Sequence, residues 1–127
     1  MSDDGALNHE GERLSGGELN AAVTREIVKI HTAAIGRGPR KSYSFHNGGA
    51  LVTVLLEVLT QAERTLIAYG EGDSVRDARR LSQRAMGDQM VAAVERLTER
   101  RVVAFMGDNH LDPDMAVEVF ILDSPLS

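Results

Sequence analysis

Three places in the chain carry charged side chains of the type and spacing that chemistry would use. The first is Gly36-Arg37-Gly38-Pro39-Arg40-Lys41. Glycines beside basic residues can turn backbone N–H groups toward an anion. This segment follows a helical pattern rather than leading into one, however, and basic residues in that place complement the negative end of a helix dipole without a ligand. The second is the series Arg76, Arg80, Arg84. A spacing of four puts all three on one helix face, with Arg79 alongside. Arg37, Arg40, Arg76, Arg80 and Arg84 are thus the candidate residues for binding a small anion or an acidic partner. Asp73 and Asp77 can pair with the same series, so a solvated face of ion pairs is the plainer reading. The third place is Asp108, Asn109, His110, Asp112 and Asp114. Oxygen-rich loops bind Ca²⁺ or Mg²⁺, but an EF-hand needs alternating ligands, a glycine at its sixth position and a distant Glu. That order is absent, turn-forming residues account for the composition, and no metal or cofactor is expected.

The histidines at 9, 31, 46 and 110 are scattered. His31 borders an apolar helix face and reads as structural. His46 and His110 meet only if two hairpins turn at the same end of a sheet. No G-x-S-x-G elbow occurs. The chain has no cysteine, which excludes disulfides and thiol catalysis. A non-enzymatic protein is expected.

The net charge of −5 argues against nucleic acid, whose phosphates call for a basic face. At 127 residues one domain is expected, and with 4% aromatics its core must be aliphatic. No apolar run approaches the ~20 residues of a membrane-spanning helix. The start, Met1 to Leu14, is acidic and polar, unlike a secretory signal. It reads as a disordered leader ahead of a domain over 15–127, in a soluble, cytoplasmic protein without direct membrane insertion.

The elements that must position these residues follow from periodicity. Ser15 and Glu18 have capping-box spacing. Leu19, Val23, Ile27, Ile30 and Ala34 then mark one face of a helix that Gly36 and Pro39 end. Lys41 to His46 alternates, with Tyr43 and Phe45 on one side and Ser42 and Ser44 on the other. Asn47-Gly48 predicts a type I′ hairpin. Ala50 to Val58 is apolar on both faces, which predicts a central strand covered on both sides. Thr60 and Glu63 cap a short helix with Leu66 and Ile67 inward and Gly70 at its end. Asp73 or Ser74 caps a long one, to about Arg100. Its inward face is predicted as Val75, Ala78, Leu81, Ser82, Ala85, Met86, Met90, Ala93, Val94 and Leu97. Gly87, mid-helix, reads as close approach by another backbone or as simple tolerance of a glycine in a long helix, with close packing favoured. Arg101–Met106 and Ala116–Leu122 read as strands joined by the polar loop GDNHLDPD. The order α-β-β-α-α-β-β predicts an α+β fold, a four-stranded sheet made from two hairpins with helices packed on a face. A strand with two apolar faces in so small a domain predicts a homodimer.

Several segments in this order resemble the MpsC-like domain family. They are Gly36, Gly38 and Pro39 of the G-x-G-P turn, Leu56 to Glu63, Val75 to Arg80, Arg101 to Phe105 and Ala116 to Phe120. The resemblance runs from about Glu18 to Leu122. It implies a small bacterial protein without established catalytic residues. It also implies association with a Na⁺-translocating or inorganic-carbon transport system, whose membrane-embedded parts are other chains. A role for this chain in such a system is accessory or regulatory. The competing expectation is a small-anion sensor that uses the arginine face.

Overall fold

The computed structural model describes residues 16–126. The expected disordered leader and the Ser15 cap lie outside the described residues. Within them the order is α1 (Gly16–Ile35), β1 (Lys41–Asn47), β2 (Ala50–Leu56), α2 (Gln61–Ala68), α3 (Gly72–Thr98), β3 (Val102–His110) and β4 (Met115–Leu122). The four strands form one antiparallel sheet in the order β1-β2-β4-β3, with β1 and β3 at the edges. This is the α+β arrangement the sequence order implies.

Helix α1 buries Leu19, Ala22, Val23, Ile27 and His31, so a histidine occupies the last inward turn where Ala34 was expected. Gly36 takes φ +88° and returns its N–H to Thr32 O at 2.8 Å, a glycine-dependent stop. The hairpin turn differs from the expected one by a residue. Asn47 pairs with Ala50, so Gly48 and Gly49 are the central residues. Only Gly48 lies in the left-handed region, at φ +61°, which is the II′ pattern rather than I′. Two adjacent glycines let the turn settle one residue later than Asn-Gly chemistry suggests.

Strand β2 stops at Leu56, because Glu57 adopts φ +59° and turns the chain toward α2. The expected capping box is present: Glu63 N–H donates to Thr60 Oγ1 at 3.1 Å, and Thr60 N–H to Glu63 Oε1 at 2.8 Å. Helix α2 buries no residue, and Leu66 is exposed where an inward position was expected. Glu71, not Asp73 or Ser74, is the N-cap of α3, and it makes no side-chain cap. The helix closes on Glu99 in the left-handed region. Its inward face is Val75, Arg79, Met86, Met90, Ala93, Val94 and Leu97; Leu81, Ala78 and Ala85 face outward. What approaches Gly87 is a ring and not a backbone: a Cβ there would stand 3.3 Å from Phe105.

Strand β3 continues through His110, so half of the expected polar loop is strand and Leu111 to Asp114 connects to β4. Helices α1 and α3 pack beside each other on one sheet face. Their Leu19, Val23, Ile27, Met86, Met90 and Val94 meet Leu51, Leu55, Ala116 and Phe120 from the sheet. Among the described residues, the opposite face carries no helix.

Candidate functional site

The register assigns side chains to the two sheet faces, because successive residues of a strand point opposite ways. Toward the helices, one row across the sheet reads Ser44, Thr53, Glu118, Gly107. Its hydroxyls form a directed chain. Thr24 Oγ1 donates to Asn20 O at 2.9 Å, which leaves it to accept from Ser44 at 2.7 Å, and Ser44 in turn accepts from Thr53 at 2.7 Å. Thr53 therefore has no proton left for Glu118. The buried Glu118 carboxyl receives the Gln83 side-chain amide instead. Burial raises its pKa to about 7, and the bond from the neutral amide only partly opposes this. Gly107 is required here, since a Cβ would collide with both Gln83 and Glu118.

The helix-free face is the more apolar of the two. Strands β2 and β4 present Ala50, Val52, Val54, Leu56, Met115, Val117, Val119 and Ile121. The edge strands add Tyr43, Phe45, Ala104 and Met106, and its polar positions are Lys41, Asn47, Asp108 and His110, all on those edges. Tyr43 is 47% exposed, Phe45 49% and Met106 53%. Three strand spacings by seven residues make a face of roughly 14 by 23 Å.

A second constellation gathers around the turn between β2 and α2. Arg79, 3% exposed, donates to Glu63 from Nε at 2.6 Å and from Nη2 at 2.7 Å. Nη2 also reaches Val58 O at 2.8 Å, and Nη1 lies 3.3 Å from His31 Nε2. Arginine only donates, so His31 Nε2 accepts, and its proton is on Nδ1. Burial and then the Arg79 charge lower the His31 pKa to about 4, against opposing effects of Glu63 and the Arg37 backbone. Burial alone would raise Glu63, but bonds from Arg79 and Thr60 and the Arg79 charge hold it below its ordinary value. The imidazole of His31 is thus neutral and buried at physiological pH. The group fastens α1, α3 and the β2–α2 turn together.

The arginines singled out by sequence are placed as follows. Arg37 donates to Gly38 O at 3.3 Å, Leu59 O at 2.9 Å and Glu57 O at 3.1 Å, bracing the same turn. Arg40 pairs with Glu57 at 3.1 Å, Arg76 with Asp73 at 3.1 Å and Arg80 with Asp77 at 3.8 Å, all at the surface. Arg84 makes no ion pair among the described residues and lines a groove between α3 and β3 with Gly87, Phe105 and Gly107. Arg37 and Arg40 do not share a surface patch with the α3 series through any of these bonds.

Asp114 is occupied as well. Its Oδ1 accepts Val58 N–H at 2.9 Å, and its carboxylate also takes Leu59 N–H and Arg64. Among the described residues no group of three or more His, Asp or Glu side chains is placed to hold a metal. The two hairpins turn at opposite ends of the sheet, which separates His46 from His110. Sequence reasoning missed Arg79 and Glu118. The signal for Arg79 was its place in the inward series Val75, Arg79, Ser82, Met86. Glu118 had one too, as the acidic residue in a strand that alternates Ala116, Glu118, Phe120, Leu122.

A family model described as the Na⁺-translocating membrane potential-generating system (MpsC) matches residues 15–124. No curated protein and no solved structure matches the chain.

Proposed function

We propose a function from one premise: the chain belongs to the MpsC family, named for a Na⁺-translocating membrane potential-generating system. The chain acts as a non-enzymatic accessory or regulatory protein, cytoplasmic and homodimeric, of a Na⁺-translocating or inorganic-carbon transport assembly. Membrane passage belongs to other chains of that assembly. Among the described residues no helix is long and apolar enough to cross a membrane. One observation carries the reading: the sheet face without helices is more apolar than the face the helices cover. Burying such a face against protein releases ~25 cal/mol per Å² of apolar area, whereas leaving it in water stabilises nothing. Glu63 and Glu118, two of the titratable side chains that burial perturbs, are held by internal bonds to Arg79 and Gln83, which favours binding over catalysis.

The test is complementation in cells that lack the chain. Wild type is expected to restore a Na⁺-dependent membrane potential, read with a potential-sensitive dye. Val119→Lys, which plants a charge at the centre of the open face, is expected to fail while folding normally. Full restoration by Val119→Lys would overturn the reading.

Arg84 supports a second reading, a small-anion sensor on the arginine face of α3 with Arg76 and Arg80, without Arg37 and Arg40, which brace the β2–α2 turn instead. Its side chain makes no ion pair among the described residues and lines, together with Asp88, a groove of about 630 Å³. Bicarbonate, phosphate or a nucleotide that binds there raises the melting temperature by mass action. Arg84→Glu should abolish that shift, and the absence of any shift removes the sensor.

A further inference from the structure

The open face carries a ridge along one edge and a hollow along the other. On β1, the rings of Tyr43 and Phe45 stack with centroids 6.3 Å apart and stand out of the sheet. On the β3 side, Met106, Gly107, Asp108, Val117 and Val119 line a hollow of about 360 Å³. The register puts the two at the same height. Tyr43 lies across from Val54, Val117 and Asp108, and Phe45 lies across from Val52, Val119 and Met106.

We infer that a second copy of this chain covers the face, seated so that β1 of each copy lies over β3 of the other. The inference rests on the reading of this face as an interface and adds its geometry. A two-fold axis parallel to the strands, midway between two sheets about 10 Å apart, exchanges the edges and keeps the height. Each aromatic ridge then enters the other copy's hollow, twice per dimer. The alternative axis, across the strands, sets ridge on ridge and hollow on hollow. Aromatic anchors in complementary hollows are what dominate interface energetics.

Charge points the same way. Lys41 stands one row beyond Tyr43, so the exchange brings it beside Asp108 and His110 of the other copy. The polar positions thereby form a rim around an apolar centre.

Because the chain has no cysteine, pairs of introduced ones report the arrangement cleanly. Lys41→Cys/His110→Cys and Lys41→Cys/Asn47→Cys would each be treated with a short bismaleimide and run on a denaturing gel. The first pair is expected to double in mass and the second to stay monomeric. The reverse pattern, or no linkage in a protein that sediments as a dimer, overturns the arrangement while the interface stands. A monomer in sedimentation overturns both. In parallel, Asp108→Lys should weaken the dimer roughly tenfold, two exposed pairs each turned to repulsion. Adding Lys41→Asp should restore it, and independent effects of the two changes would contradict the seating.

Discussion

Replacing Glu118 with Gln should stabilise the protein by an amount that depends on pH in a defined direction. In the fold the carboxyl is buried and titrates near 7, against an ordinary value of 4.5. A raised pKa means that the folded chain holds the proton where the unfolded chain has lost it. The stabilisation from the neutral carboxyl is complete below the unfolded value, declines as pH rises and is lost above about 7. The span of about 2.5 units corresponds to about 3 kcal/mol at 1.36 kcal/mol per unit. The substituted amide keeps the shape and can still accept from Gln83, but it never ionises. The stability of Glu118→Gln minus that of wild type should therefore climb by about 3 kcal/mol between pH 4 and pH 8.5. Urea denaturation at intervals across that range measures it. The difference is the proper readout, because the lowered pKa of His31 gives both proteins a slope of opposite sense that subtraction removes. A flat difference would show that Glu118 meets solvent or a cation, and the account of the polar row would be wrong.

Other perturbations follow from the same contacts. Arg79→Leu leaves the Glu63 carboxylate and Val58 O without their donor, and urea melts should show a loss of about 3–5 kcal/mol; Arg79→Leu/Glu63→Leu should recover part of it. Gly107→Ala should cost about 2 kcal/mol, since its methyl must push Gln83 from Glu118, and the same melts at fixed pH report it. Asp114→Ala strands the N–H groups of Val58 and Leu59. A loss of about 1–3 kcal/mol is expected, with faster hydrogen exchange at those two amides.

The sequence made the elements legible because their signals are local. Helix periodicity in α1, the Thr60–Glu63 box and the glycine stop at Gly36 each depend on a few neighbouring residues. Boundaries slipped where a tertiary contact decided them. GDNHLDPD reads as loop from its composition, yet Gly107 to His110 are held in β3 by pairing with Met115 to Glu118 of the next strand. Facing was harder still. The aromatic side of β1 is the helix-free side, while Ser44 faces the helices and bonds Thr24 and Thr53. Hydrophobicity alone assigns those faces the other way round, with Tyr43 and Phe45 under the helices. Arg79 was hidden among exposed arginines of identical type. Its burial depends on Glu63 and His31 arriving from two other helices.

Sedimentation equilibrium of wild type and Phe45→Glu is the most direct test of the helix-free sheet face as an interface. The account predicts a wild-type dimer at micromolar concentration and a folded monomer for the variant, with matching far-UV circular dichroism. A wild type that sediments as a monomer at that concentration and melts cooperatively would contradict it.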